Sequence, residues 1–210
     1  MQIKICGLQN TEDAKIVNEA GVSYAGIIQH YEKSHRNVDT DTAKRIIAAL
    51  SPDIKKVGVT VSPTLEAIRD IEAAGFDIIQ IHGKLPFEYI DMINIPIWRA
   101  FNVDNNSLSA EYLKYKKIEA FLFDAKLPGS GKTFDWELLK ALPRDEMKEK
   151  NVAFILAGGI SSENVEEAVK KTSPDIIDVS SAVERADKKG KDAEKVREFC
   201  KIIVNLPEIC

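Results

Sequence analysis

The sequence of 210 residues predicts an α/β fold, and three observations lead to this prediction. Eight short runs of apolar and β-branched residues recur along the chain in the manner of strands. Segments with apolar residues at helical spacing lie between them, which is the pattern of parallel βαβ units. No linker or change of composition divides the chain. We therefore expect a single domain over residues 1–210, folded as a closed (β/α)8 TIM barrel, with an open doubly wound sheet as the alternative.

The first three strands and helices alternate in the first third of the chain. Strands are predicted at residues 2–6, 24–28 and 55–61, where apolar and β-branched side chains predominate. Helices are predicted at residues 11–20, 41–50 and 65–74, where apolar residues recur every three or four positions. Start signals precede these helices at Asn10 or Thr11, Thr40 and Ser62-Pro63. Gly21 and Gly75 are typical helix ends.

Five further strands are predicted in the rest of the chain, at residues 77–81, 96–101, 118–124, 152–157 and 176–179. Helix start signals stand at Pro86, Asp135 and Ser161. Residues 102–115 predict a polar loop that passes into a weak helix.

The composition restricts the class of protein. Lysine and arginine number 29 and aspartate and glutamate 33, a net charge of −4, so general nucleic-acid binding is not expected. No apolar run is long enough to span a membrane, and no signal peptide is visible at the amino terminus. Cys6, Cys200 and Cys210 lack the spacing of a disulfide framework or a zinc site. We expect a cytoplasmic protein.

Reactive side chains stand where the predicted strands end, and in a (β/α)8 barrel those ends share one rim. Asp124 ends an apolar strand and is a candidate acid, or else a plain turn residue. Cys6 is a candidate base, or else a small buried hydrophobe. Arg36 follows the second strand and suits a carboxylate, or else is a solvated side chain. His82 is a candidate for lining a pocket, with core packing or a structural hydrogen bond as its alternatives. Asp178 rivals Asp124 as the acid and has a structural role as its alternative.

Two loops predict a phosphate site. One follows the seventh strand and contains Gly158 and Gly159, and the other follows the eighth and contains Ser180 and Ser181. Glycines let the backbone approach a ligand, and helix amino termini direct free N–H groups at an anion. The loops after strands seven and eight are the usual phosphate site of this barrel class, so we favour a phosphorylated small-molecule ligand over a pair of tight turns.

The run from Gly129 to Thr133 is similar to part of a nucleotide P-loop, but the full motif requires a glycine where Lys126 stands. We interpret the run as a mobile cover over the site, with a plain surface loop as the alternative.

Three pieces of the sequence are the most specific, namely Lys4-Ile-Cys-Gly7, Gly129-Ser-Gly-Lys-Thr-Phe-Asp-Trp136 and Asp178-Val-Ser-Ser181. Together with the residues above, they resemble the phosphoribosylanthranilate isomerases of tryptophan biosynthesis. Further pieces follow in the order of the family: Lys33-Ser-His-Arg36, Val57-Gly-Val59, Ile79-Gln-Ile-His-Gly83, Phe123-Asp124, Leu156-Ala-Gly-Gly159, Glu163-Asn-Val165 and Val183-Glu184.

The resemblance implies a (β/α)8 barrel that carries out an Amadori rearrangement of N-(5′-phosphoribosyl)anthranilate. It implies that Cys6 is the general base, that Asp124 is the general acid and that Arg36 holds the anthranilate carboxylate. Backbone groups around five residues would hold the phosphate, namely Gly158, Gly159, Ser180, Ser181 and Ala182. The resemblance implies no cofactor, metal or nucleotide, and the sequence does not distinguish a monomer from a homodimer.

Three departures from the family pattern carry expectations of their own. Ala182 stands where the family usually has glycine, which predicts strain if that residue needs a positive φ. The loop after the second strand is one residue longer, which affects the reach of Arg36. Thr60 replaces a common phenylalanine, which predicts a less apolar wall for the aryl ring.

Two alternative functions stay open on the sequence alone. One is another phosphosugar isomerase, epimerase or synthase, because the phosphate loops by themselves would permit it. The other is a catalytically silent barrel that only binds a phosphorylated ligand or a partner.

Overall fold

The computed structural model describes residues 1–103, 110–125 and 133–206. Eight parallel strands pair in chain order, and β8 pairs with β1 to close a barrel. The strands are β1 Gln2–Cys6, β2 Tyr24–Ile28, β3 Lys55–Val61, β4 Ile78–His82, β5 Ile97–Asn102, β6 Ile118–Asp124, β7 Ala153–Leu156 and β8 Ile176–Val179. The predicted (β/α)8 barrel is confirmed, and the open sheet is excluded.

Helices occupy the connections between the strands. The α-helices are α1 Thr11–Ala20, α2 Thr40–Ala49, α3 Leu65–Ala74, α4 Phe87–Ile90, α5 Arg144–Glu149, α6 Val165–Thr172 and α7 Ala193–Val204. Short 3-10 helices lie at Ala110–Lys114, Trp136–Ala141 and Ser181–Val183. Within the described ranges no helix is long and apolar enough to cross a membrane.

The helix ends follow local hydrogen bonding. Asn10 caps α1 by accepting from the Asp13 N–H, as predicted. Helix α3 is capped by Thr64 instead of the predicted Ser62-Pro63, because the Thr64 hydroxyl accepts from the Ala67 N–H. Helix α1 ends at Gly21 with a φ of 64°, a left-handed conformation that glycine adopts without strain.

Two apolar clusters stabilise the barrel, one inside it and one between its strands and the surrounding helices. Alternate residues of each strand face the barrel interior or the surrounding helices. On β3, Val59 lies in the interior cluster, whereas an added Cβ at Gly58 would meet Ile71 of α3. Thr60 shares the outward face with Gly58 and is fully buried, so it does not wall the cavity at the mouth of the barrel. The expectation that Thr60 alters an aryl-binding wall is therefore wrong.

Candidate active site

A cavity of about 430 Å³ opens where the strands end. Its lining includes nine of the ten predicted site residues: Cys6, Arg36, His82, Asp124, Gly158, Gly159, Asp178, Ser180 and Ser181. The tenth, Ala182, lines an adjoining cavity. The convergence on one rim that the strand ends predicted is thus present in the structure.

Asp124 ends β6 as a buried carboxyl group, 9% exposed. Its Oδ1 accepts a hydrogen bond from the Ala125 N–H at 2.7 Å, which fixes its orientation. Burial, helped by the nearby charge of Asp178, raises the pKa of Asp124 to about 7. Asp124 can therefore hold a proton near neutral pH, which is what a general acid requires.

Cys6 and Asp178 meet a third group, the ammonium of Lys4, which the sequence analysis left without a role. Lys4 is fully buried, and its Nζ donates to both Asp178 oxygens, at 3.0 and 2.9 Å. Burial alone would lower the pKa of Lys4, but Asp178 and Cys6 outweigh it and raise that pKa, so Lys4 stays charged. Burial raises the pKa of Asp178, and the charge of Lys4 acts against this. This pairing favours Asp124 over Asp178 as the acid.

The Cys6 thiol is buried at the end of β1. Burial raises the pKa of Cys6, while the charge of Lys4 acts in the opposite direction. Ser180 is tied to the same strand end, because its hydroxyl donates to the Cys6 carbonyl oxygen at 2.9 Å.

Arg36 is held by a buried carboxylate, Glu184. The Nε of Arg36 donates to Glu184 Oε1, and its Nη2 donates to Oε2 at 3.1 Å. Lys191 Nζ lies 3.4 Å from Glu184 Oε1. Burial would raise the pKa of Glu184, but Arg36 and Lys191 outweigh it and lower that pKa. Glu184 belongs to one of the matching sequence pieces, but its role as the partner of Arg36 was not predicted from the sequence.

The longer loop after β2 still delivers Arg36 to the cavity. The chain folds back so that Asn37 forms a bridge with Ile28 at the end of β2. Room for the side chain comes from Gly7, where an added Cβ would lie 2.6 Å from Arg36 Cδ. Gly7 also has a φ of 82°, so both space and backbone conformation favour glycine there.

His82 lines the cavity as an uncharged ring. Its Nε2 lies 2.8 Å from Gln80 Nε2, which can donate to it. Burial, with the charges of Lys4 and Arg99, lowers the pKa of His82 to about 3. It is therefore neutral near pH 7 and is suited to packing or hydrogen bonding in the pocket.

The adjoining cavity, of about 510 Å³, lies between the loops after β7 and β8. Its lining is Thr133, Gly159, Ile160, Ser161, Asn164, Ser181 and Ala182, of which Gly159 and Ser181 also line the main cavity. Ser161 and Asn164 lie in the predicted phosphate loop but were not predicted to line the phosphate site.

Ala182 does not carry the backbone strain that the sequence analysis considered. It lies in the 3-10 helix Ser181–Val183 and is absent from the described residues with positive φ. Gly158 and Gly159 do have positive φ, 84° and 66°, and there a side chain would be strained. Glycine is thus needed in the loop after β7 and not at position 182.

The run from Gly129 to Lys132 lies outside the described residues, so its interpretation as a cover stays a prediction. Among the residues that the structure describes, no group of three or more His, Cys, Asp or Glu side chains is arranged to hold a metal ion.

Comparison with known proteins agrees with this geometry. A family model described as N-(5′-phosphoribosyl)anthranilate (PRA) isomerase matches residues 3–202. The N-(5′-phosphoribosyl)anthranilate isomerase of Thermoanaerobacter pseudethanolicus is 36% identical over 205 residues, covering 95% of this chain and 96% of that protein. That of Clostridium kluyveri is 38% identical over 208 residues, covering 98% and 99%.

Solved structures extend the similarity to three dimensions. The phosphoribosyl anthranilate isomerase of Thermus thermophilus superimposes with a TM-score of 0.84 at 31% identity, over 99% of this chain and 100% of that one. A phosphoribosyl anthranilate isomerase in complex with reduced 1-(o-carboxyphenylamino)-1-deoxyribulose 5-phosphate superimposes with a TM-score of 0.81 at 31% identity, over 98% and 100%. The chain therefore belongs to the N-(5′-phosphoribosyl)anthranilate isomerase family.

Proposed function

We propose that Asp124 and Cys6 are the acid and the base of this family's reaction in the present chain. The reaction is the Amadori rearrangement of N-(5′-phosphoribosyl)anthranilate to 1-(2-carboxyphenylamino)-1-deoxyribulose 5-phosphate. The observation that carries the proposal is that both buried groups line one cavity, beside a glycine- and serine-rich pocket suited to phosphate.

The first step is opening of the ribose ring. Protonated Asp124 donates its proton to the ring oxygen as the bond from that oxygen to C1 breaks. The lone pair of the anthranilate nitrogen forms the C1–N double bond, so the positive charge moves to an iminium. The raised pKa of Asp124 supports this role, because an ordinary aspartate would already have lost its proton near pH 7.

The second step is removal of the proton on C2. The Cys6 thiolate takes this proton, and the electrons of the C–H bond form the C1–C2 double bond of an enolamine while the iminium is neutralised. The enolamine then tautomerises to the ketone. C1 is reduced and C2 is oxidised within one molecule, so we class the enzyme as an intramolecular oxidoreductase of the aldose–ketose type.

The anionic ends of the substrate find complementary groups in both cavities. Arg36 would bind the anthranilate carboxylate through the part of its guanidinium that Glu184 does not occupy. Backbone N–H groups of Gly159, Ser181 and Ala182 would bind the phosphate. His82 and Asp178 would line the space between these two ends.

The remaining assignments concern the whole chain. We infer one functional unit over residues 1–210, because β1 supplies Cys6 and β8 supplies Asp178 to the same cavity. A thiol that acts as a base is preserved in a reducing compartment, which supports a cytoplasmic location. We propose a monomer or a homodimer; the isomerase of Thermotoga maritima is described as dimeric, with monomers generated from it. Sedimentation analysis distinguishes the two states.

The test of the proposed function is a fluorescence assay that follows loss of the anthranilate adduct, together with rescue of a strain lacking this step of tryptophan synthesis. We expect wild-type protein to turn over the adduct, and Asp124→Asn and Cys6→Ser to lose at least about 100-fold in kcat. The decrease in kcat should be smaller for Asp178→Asn than for Asp124→Asn. Rescue by Asp124→Asn as complete as by the wild type would refute the role of Asp124.

The same assay addresses the two alternatives. Turnover of a phosphosugar that lacks the anthranilate ring, with none of the adduct, would favour another sugar isomerase or epimerase. Tight binding of a product analogue in calorimetry, without turnover, would favour a silent binding protein.

A further inference from the structure

We propose that Lys4 is a positioning residue that stabilises the thiolate of Cys6, and that Asp178 holds the Lys4 ammonium in place for this task. The inference rests on the proposed function, because it concerns the base of that reaction. Lys4 is not among the residues that line the cavity, so it would act on the substrate only through Cys6.

The geometry places the ammonium and the sulfur beside the same position of the neighbouring strand, inside the barrel. Lys4 and Cys6 are two residues apart on β1 and share its interior face. A Cβ added at Gly26, on the neighbouring strand β2, would lie 2.9 Å from Cys6 Sγ and 3.0 Å from Lys4 Nζ. The lack of a side chain at Gly26 therefore leaves the space in which these two groups meet.

The hydrogen bonding leaves a donor for the sulfur. An ammonium has three N–H groups. Lys4 Nζ uses two of them to donate to the two oxygens of Asp178, and its charge acts on Cys6. These two hydrogen bonds hold the buried side chain in place, and the third N–H remains available to Cys6.

Stability alone is a poor explanation for this pair. Placing two opposite charges in the interior of a protein costs desolvation energy that their attraction barely offsets, and apolar replacements are often as stable. The apolar side chains of Val57, Val59 and Leu122 lie in the same interior cluster as Cys6, so apolar packing would suit this position. A charge placed beside a group that must ionise has a functional reason that a structural ion pair lacks.

The neighbouring charged groups act on the Cys6 thiolate in opposite directions. Lys4 of β1 and Lys191, which precedes α7, favour the thiolate, whereas Asp178 of β8 opposes it. On strand β2 the residue beside Cys6 is Gly26, which carries no charge. Because burial raises the pKa of Cys6, the thiolate is a minor form near neutral pH, and its population depends on these neighbours.

The experiment measures Cys6 ionisation without turnover. The rate of alkylation by iodoacetamide is followed against pH, and the Cys6 peptide is quantified by mass spectrometry. Asp178→Asn is compared with the double variant Lys4→Met/Asp178→Asn, so that no unpaired carboxylate is left buried. We expect loss of Lys4 to raise the alkylation midpoint by roughly one to two pH units, or 10- to 100-fold less thiolate at fixed pH.

Three comparisons complete the test. Lys4→Arg keeps the charge and should stay near the wild-type midpoint, and Lys15→Met, at an exposed lysine of α1, is the matched control. In Asp178→Asn the amide oxygen can still accept from Lys4 Nζ, while the carboxylate charge that opposes the thiolate is removed, so the midpoint should fall. This comparison tests the inference even if the double variant does not fold.

An equal midpoint in the single and double variants, or no decrease in Asp178→Asn, would overturn the inference. Absence of isomerase activity in the wild type would instead refute the proposed function, because alkylation does not depend on turnover.

Discussion

Replacing Asp124 with asparagine should stabilise the protein while abolishing its activity. The buried Asp124 carboxyl group has its pKa raised from 3.8 to about 7, so the folded state holds a proton that the unfolded state has released. Stability is therefore lost as pH rises from about 4 to about 7, and the loss is complete above that range. Asparagine does not titrate, and its Oδ1 can still accept from the Ala125 N–H.

The magnitude follows from the shift in pKa. The folded and unfolded values differ by about three units, and each unit corresponds to about 1.4 kcal/mol. The stability advantage of Asp124→Asn over the wild type should accordingly widen from about 2 kcal/mol at pH 5 to about 4 kcal/mol at pH 8.

Urea denaturation of both proteins between pH 5 and pH 8 measures this advantage. Asp53→Asn, at an exposed carboxylate before β3, is the control and should change stability by less than about 0.5 kcal/mol. A difference between Asp124→Asn and wild type that does not vary with pH would refute the reasoning, because it would mean that Asp124 has an ordinary pKa.

Three further predictions concern the cavity and its loops. Gly158→Ala should cost about 2 kcal/mol or more in urea denaturation, because its φ is 84° and the new Cβ would lie 2.5 Å from Ala125 N. Gly21→Ala, with a φ of 64° but no atom within 4 Å, should cost only about 1 kcal/mol, and equal costs would contradict the clash. Arg36→Lys should raise KM roughly 10- to 100-fold with a smaller change in kcat, because lysine lacks the planar guanidinium group that binds a carboxylate through two donors. A decrease in kcat alone would contradict carboxylate binding by Arg36. Ala182→Gly should leave KM within about twofold, because Ala182 has no positive φ to relieve, and a marked gain in affinity would contradict that.

The strands were predictable because each carries its own apolar pattern. Five of the eight predicted strands match the observed bounds, and β4 and β5 are shifted by one residue. The connections with a weak apolar pattern were harder to predict from the sequence. The stretch after β5 has only the 3-10 helix Ala110–Lys114 within its described part, and α4 is a single turn at Phe87–Ile90. Such short elements depend on packing that periodicity does not record.

The site was predictable wherever a residue stands at the end of a strand, since the barrel places all those ends on one rim. Cys6 and Asp124 were found in this way. The partners Lys4 and Glu184 were not, because their roles depend on contacts with residues far along the chain. Lys4 and Asp178 are 174 positions apart in the sequence, and Arg36 and Glu184 are 148 apart. No local sequence pattern therefore predicts either pair.

The bond between Lys4 and Asp178 also has a consequence for biosynthesis. It joins the first strand to the last, in a register that sets these two residues side by side. The ribosome synthesises β1 early and β8 near the end. Lys4 therefore cannot pair with Asp178 until nearly the whole polypeptide has emerged. Until then the thiol two residues away lacks its fixed neighbour. On the proposed roles of Cys6 and Lys4, a chain interrupted before β8 would lack both a closed barrel and the ion pair that supports the base.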